Sequence, residues 1–156
     1  MKILITSDTH GSYSKVSDFI IERGDIDLML HAGDGVEDCQ YIGYETGVAY
    51  YVVKGNNDFF TNEPYEKIID LEGIRILLTH GHKNGVDFSL RGLLAKAIDK
   101  SCDLVIFGHT HTYTKIKESG ILFLNPGSVS LPRDGQASMM LMTLDKEKMD
   151  IEKISL

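Results

Sequence analysis

Five short apolar runs in this chain end alike. ILITS runs into Asp8-Thr9-His10, LMLHA into Gly33-Asp34-Gly35, and YYVVK into Gly55-Asn56-Asn57-Asp58. RILLT runs into His80-Gly81-His82, and LVIF into Gly108-His109-Thr110-His111. Short apolar runs bounded by turn residues read as buried strands. In open α/β sheets, ligands bind outside the carboxyl ends of the strands. The five clusters can therefore meet at one place if the strand order brings their ends together.

The segments between these runs set the fold class. Residues 2–8, 27–34 and 48–58 read as strands, and SKVSDFIIERG (14–24) as an amphipathic helix stopped by Gly24. Strand, helix, strand and strand again imply parallel pairing through right-handed crossovers. Residues 65–82 read as a hairpin around Glu72-Gly73 and 88–101 as a helix with a Leu/Ala/Ile face. DLVIFGH is a buried strand, 113–129 a hairpin around Ser119-Gly120, and 137–156 a closing hairpin around Asp145–Lys148. Parallel pieces early and antiparallel pieces late point to an α/β fold of two packed mixed sheets with helices outside. At 156 residues without repeats, low-complexity tracts or linker, the expected organisation is one domain over 1–156.

Charge and cysteine content narrow the function classes. The net charge is −7 and there is no basic patch, which argues against general duplex nucleic-acid binding. Cys39 and Cys102 are far apart and form no CxxC, so free thiols are expected rather than a disulfide scaffold. The ILI run after Met1-Lys2 is too short for a signal peptide or a membrane span, so the expected location is cytoplasmic, away from the membrane. The edges of a mixed sheet can pair, so a homo-oligomer is compatible with the sequence.

Of six histidines, five lie in the strand-end clusters; His31 lies inside a strand and reads as a core or supporting histidine. The pair in GHTH reads either as a polar surface turn or as two imidazoles presented from one side of a strand end. The clusters together offer Asp8, His10, Asp34, Asn56, a histidine from HGH, His109 and His111. These are oxygen and nitrogen donors without a thiolate, a set that suits manganese, iron, nickel, cobalt or zinc and not calcium. Seven donors are too many for one such ion and about right for two that share a carboxylate.

The ordered set DxH, GD, GNND, HGH and GHTH, followed by NPGSVSLPR (125–133), resembles the calcineurin-like metallophosphoesterases, and within them the small bacterial and archaeal phosphodiesterases. The resemblance implies a four-layer αββα sandwich with a dinuclear metal centre at the sheet edges. It matches Asp8, His10 and His111 to the first ion, Asn56, His80 and His109 to the second, and Asp34 to the bridging carboxylate. Within HGH either histidine is a possible ligand; His80 is preferred because it directly follows the strand. His109 and His111, as alternate residues of a strand end, would point the same way and feed adjacent ions. The implied cofactor is two divalent ions, manganese first among them. The implied activity is hydrolysis of a small phosphodiester by a metal-bridging hydroxide, with Asp34, Asn56 and His82 as the candidate catalytic residues. Two cations would neutralise charge building on the phosphate. Two carboxylates against two divalent ions leave about +2 by formal counting.

Several neighbours carry a second reading. His82 is a supporting residue, a substrate contact or a proton donor. Asp58 reads as an orienting partner, Asn125 and Ser128 as turn residues, and Met139, Met140 and Met142 as core. Gly33, Gly55, Gly81 and Gly108 read both as turn residues and as places of close backbone approach. Many larger relatives carry GNHD or GNHE, whose histidine is thought to act as general acid; here Asn57 stands in its place. The competing functions are a non-catalytic binding module on the same fold and a phosphomonoesterase or nucleotide phosphatase. Relatives of this size that assemble in vesicle sorting have lost ligand residues, whereas all seven matched positions are filled here.

Overall fold

Alternation along the strands sorts the apolar side chains into three clusters, and these define four layers. The computed structural model describes residues 1–146 and 148–156. In the first sheet β1 (Lys2–Thr6), β2 (Leu28–His31) and β3 (Ala49–Val52) pair in parallel. β9 (Ser138–Asp145) joins β1 antiparallel, and β10 (Lys148–Ser155) closes that edge, giving the order β10-β9-β1-β2-β3. The second sheet has the order β4-β5-β6-β8-β7, from β4 (Glu66–Leu71), β5 (Ile74–Thr79), β6 (Leu104–Ile106), β7 (Thr114–Glu118) and β8 (Ile121–Asn125). Its three inner strands are parallel and its edges antiparallel.

Successive residues of a strand face opposite ways. Ile3 and Ile5 of β1 and Leu28 and Leu30 of β2 therefore meet Ile76, Leu78, Leu104 and Ile106 between the sheets, with Met140 and Met142. Leu4 and Met29 face outward against Val16 and Ile20 of α1 (Tyr13–Arg23) and Cys39 and Ile42 of α2 (Val36–Thr46). On the far side Leu77, Val105 and Phe123 pack against Leu93 and Ala97 of α3 (Arg91–Asp99). The layers are helices, sheet, sheet, helix. All three methionines of the 139–142 cluster are buried in the core, and both cysteines are free. No helix among the described residues is long and apolar enough to cross a membrane.

The hairpin turns form as their residues dictate. Glu72-Gly73 and Ser119-Gly120 take positive φ at both positions, the pattern of a two-residue turn matched to strand twist. The closing hairpin also pairs β9 with β10; Glu147, which falls between them in the sequence, lies outside the described residues. Helix α2 was not expected from the sequence. Its apolar face is only Val36, Cys39 and Ile42, broken by Glu37 and Asp38, and Gly43 sits inside it. The parallel pairing of β2 with β3 demands a crossover, and α2 supplies it. Gly43 belongs there because a side chain would strike the Tyr50 ring of β3.

His31 occupies the core as a neutral imidazole. Its Nδ1 accepts the Gly33 N–H at 3.1 Å, so Nε2 carries the hydrogen and donates to Thr9 Oγ1 at 3.1 Å. Thr9 in turn donates to Asp38 Oδ2 at 2.6 Å. Burial pushes the imidazole down from 6.5 to about 4, against the pull of the Asp8, Asp58 and Asp38 carboxylates. The unfolded chain takes up a proton here below about pH 6.5 that the folded protein refuses. This contribution is thus complete above about pH 6.5 and is lost as the pH falls to about 4. At 1.36 kcal/mol per pH unit the loss is about 3 kcal/mol. Urea unfolding between about pH 7 and about pH 4 should show wild type losing about 3 kcal/mol more than His31→Gln. Equal losses would remove His31 as the source.

Candidate metal centre

The carboxyl ends of the two sheets are stitched together across the sandwich. Within the second sheet the Gly108 N–H donates to the His80 carbonyl at 3.1 Å, and across the sandwich the His109 N–H donates to Asp8 Oδ2 at 3.1 Å. His80 Nδ1 donates to the Ala32 carbonyl at 2.7 Å. These bonds draw the Asp8, His80 and His109 loops to one seam, where His10, Asp34, Asn56 and His111 also gather.

The backbone there is bent to a degree that strand geometry does not provide. Asp8, His10, Asp34, His109 and His111 all have φ between 42° and 68°, five of the nine described non-glycine residues with positive φ. Each such residue costs about 1–2 kcal/mol. This corrects the expectation for GHTH. β6 ends at Ile106, so His109 and His111 are not alternate residues of a strand. Each is turned separately by left-handed backbone, His109 toward Asn56 and His111 toward Asp8.

Asp8 and Asp34 are the buried acids of the site. Asp8 Oδ2 accepts from Ser7 Oγ at 2.5 Å and from the His109 N–H, whereas Oδ1 is buried with no hydrogen-bond partner. Around Oδ1 stand Nε2 of His111 at 3.1 Å, His10 at 3.7 Å and His80 at 3.8 Å. Asp34 Oδ2 lies 3.7 Å from His10 Nε2 and 3.4 Å from His80 Nε2. Two groups result, Asp8-His10-His111 and Asp8-Asp34-His80, each with donor atoms within 4.8 Å of one another. Asn56 Oδ1 extends the second group, 2.9 Å from His80 Nε2 and 3.2 Å from His109 Nδ1.

The tautomers fit a cation. The Nδ1 atoms of His80 and His111 are committed to carbonyls, Ala32 and Leu131, each at 2.7 Å. When neutral, both rings aim the Nε2 lone pair at a carboxylate oxygen, an arrangement that needs a proton or a metal ion between the two. The charge distribution agrees. Burial by itself would raise Asp34, but hydrogen bonding and charge from His80 and two bonds from Asn57 hold it at about 2. Burial likewise opposes ionisation of Asp8, yet His10, His111, His80 and Ser7 keep it well below the usual carboxylate range. His80 is raised despite its burial, chiefly by Asp34, and His111 is raised by the Asp8 carboxylate beside its Nε2.

The flanking residues brace these groups. The Asp58 carboxylate accepts the N–H groups of Asp34, Gly35, Val36 and Gly55 at 2.8–3.1 Å, tying the GD and GNND loops together. Asn57 ties both oxygens of Asp34, through its N–H at 2.9 Å and its side-chain amide at 2.8 Å. Gly55 and Gly108 give close approach: a β-carbon would fall on the Asp34 carboxylate in one case and on Ser7 and the Asp8 carboxylate in the other. Asn125 and Ser128 do more than shape turns. Asn125 donates to the Gly108 carbonyl and Thr110 Oγ1, both at 3.0 Å, and Ser128 Oγ to the Asp8 carbonyl at 2.8 Å.

His82 stands beside the cluster, its ring 5.4 Å from those of Tyr65 and His80 and 6.1 Å from that of His109. It belongs to neither donor group; His80 is the histidine of HGH that faces Asn56 and Asp34. Burial holds His82 below the ordinary imidazole value, and charge on His80 and His109 acts in the same direction. Nothing in the chain's motifs points to Asp87, whose Oδ2 lies 2.9 Å from His109 Nε2. It sits in an ordinary polar turn, KNGVDF, without a spacing that marks it.

Residues 1–147 match the sequence profile of the calcineurin-like phosphoesterase superfamily domain. The chain is 33% identical over 149 residues to the probable metallophosphoesterase YsnB of Bacillus subtilis, covering 94% of this chain and 86% of that protein. It is 29% identical to the phosphodiesterase YfcE of Escherichia coli K12, with coverage of 97% and 91%. Among solved structures it is similar to a predicted phosphoesterase from Streptococcus pneumoniae TIGR4, with a TM-score of 0.85 and 28% identity over 99% of this chain and 88% of that one. It also shares its fold with Vps29 of Entamoeba histolytica in complex with zinc, with a TM-score of 0.81 and 23% identity over 99% of both chains.

A carboxylate behind a ligating histidine orients the ring and raises its basicity, and its loss typically costs about 10–100-fold in metal affinity. If His109 holds a metal ion, Asp87→Asn should therefore weaken metal binding there by about that factor. Calorimetric titration of metal-free protein checks this; unchanged affinity at every site would show that the His109–Asp87 contact does not support a metal.

Proposed function

The chain belongs to the calcineurin-like phosphoesterase superfamily, and from that premise we propose that it is a phosphodiesterase whose cofactor is a pair of divalent metal ions. Asp8, His10 and His111 would hold one ion and Asn56, His80 and His109 the other, with Asp34 shared between them. One observation carries this reading: Asp8 Oδ1 is buried without a hydrogen-bond partner, and three imidazole nitrogens stand around it. A buried carboxylate oxygen with no donor is costly, and a cation removes that cost. The donors are oxygen and nitrogen without thiolate, which suits manganese, with iron, nickel, cobalt or zinc as substitutes.

Bound there, two cations would neutralise the phosphate oxygens and acidify a water for attack on phosphorus. The chain's own residues prepare that site. Asn57 fixes both oxygens of Asp34, and Asp58 locks the loops that carry Asp34 and Asn56. The carbonyls of Ala32 and Leu131 hold the His80 and His111 rings in orientation. His10 is exposed and His109 partly so, which leaves the cluster open to a small substrate. His82, beside His80 and His109, is positioned as a substrate contact or proton donor rather than a ligand. A non-catalytic binding module on the same fold is the competing reading; the presence of all seven donors favours the enzyme.

Asp34→Asn tests the assignment. Wild type should carry about two ions per chain and turn over bis(nitrophenyl) phosphate in manganese. The variant should lose metal and at least about 100-fold in kcat while keeping its fold by circular dichroism. Near-normal turnover and metal content in the variant would rule out a shared Asp34.

Asn57 sets a second expectation. Its amide has no proton to give near neutral pH and is already bonded to Asp34. Nitrophenyl esters leave without protonation, whereas alkyl esters need it. The ratio of kcat/KM for aryl over alkyl diesters should therefore be wide, since general acid catalysis is worth about 10²–10⁴-fold. Asn57→His should narrow it by speeding the alkyl ester more. Nearly equal values in wild type would mean that a competent acid stands elsewhere, with His82 the first residue to replace.

A further inference from the structure

Two aromatic side chains next to the site are largely exposed. Phe59 and Phe60 directly follow the GNND loop and are 72% and 104% exposed. They line a groove of about 500 Å³ with Asn57, Asp58, Glu37 and Gln40. A smaller crevice of about 150 Å³ at His10 and Asp34 shares Glu37, Asn57 and Asp58 with that groove. A ligand that places an anionic group at Asp34 and His10 has one continuous path outward, over Asn57 to the two phenyl rings.

The lining chemistry says what lies along that path. No lysine or arginine is among the lining residues. The Asp58 carboxylate is taken up by four backbone N–H groups. Glu37 is exposed and among the described residues receives only the Tyr41 hydroxyl, at 3.3 Å, so it keeps acceptor capacity and negative charge. A second phosphate would meet repulsion without a counter-charge. An uncharged flat ring would gain contact with the two phenyl rings, and Gln40 and Glu37 on the same groove offer polar groups for heteroatoms.

Resting on the phosphodiesterase reading, we propose that this groove is the subsite for the nucleobase of a nucleotide substrate, stacked on Phe59 and Phe60 while its phosphate lies at Asp34 and His10. Phe59 and Phe60 then decide which diesters the enzyme prefers, without taking part in the chemistry.

The test compares two ligands that differ only in the base. Manganese-loaded protein is titrated calorimetrically with adenosine 5′-monophosphate and with ribose 5-phosphate. Wild type should bind the nucleotide about tenfold tighter or more. Phe59→Ala and Phe60→Ala should bring the ratio toward one and leave the ribose 5-phosphate affinity unchanged. Both residues are exposed, so the variants should fold as wild type does. Equal affinity in wild type, or an unchanged ratio in both variants, overturns the inference while the metal reading stands. Binding of neither ligand to the metal-loaded protein overturns the phosphodiesterase reading, and the inference with it.

Discussion

Buried negative charge governs this structure. Asp8, Asp34 and Asp38 are buried within a few residues of one seam, and Asp58 lies partly buried beside them. Among the described residues none of the four forms an ion pair with lysine or arginine. A buried carboxylate without a partner costs several kcal/mol, so the fold must answer each one. Asp58 is answered by four backbone N–H groups and Asp38 by Thr9 Oγ1 and the Gly11 N–H. Asp34 is held by Asn57, but Asp8 retains one oxygen that no protein hydrogen reaches. The site is thus satisfied as a scaffold and left incomplete at the point where imidazoles gather.

The backbone strain follows from the same demand. Neither sheet alone can place donors on both sides of the seam. The chain must turn sharply just past three strand ends, β1, β2 and β6, and it does so with non-glycine residues in left-handed conformation. Strained residues persist only where their surroundings over-determine them. Here the Gly108 and His109 N–H groups, Ser128, Asn125 and the His80 ring bind one sheet's loops to the other's or brace the same loops from behind. The inter-sheet core of Ile5, Leu30, Leu78 and Ile106 then serves as the foundation that keeps these loop ends in register.

The same arrangement explains why substrate selection would reside outside the donor cluster. The seam is committed to holding charge, and its side chains are fixed by mutual bonds. The residues free to vary their contacts lie at its margin, on α2 and just beyond the GNND loop.

Much of this was legible in the chain alone. Apolar runs and turn residues marked the ten strands, α1 and α3, because period and turn chemistry are local properties. The residues that gather at the seam were legible because imidazole and carboxylate are rarely clustered at five strand ends without chemical cause. What the sequence could not show depends on pairings across long separations. Helix α2 exists because β2 and β3 are parallel, not because its residues announce it. Asp87 matters because the fold sets it against His109, and Asn125 and Ser128 because β8 brings them under β1 and β6. The directions of His109 and His111 were set by left-handed backbone that strand periodicity does not encode. Sequence determined which groups are available and roughly where the chain turns; tertiary structure decided which of them meet, since a hydrogen bond spanning 101 residues, such as His109 to Asp8, is specified only by the packing of two sheets.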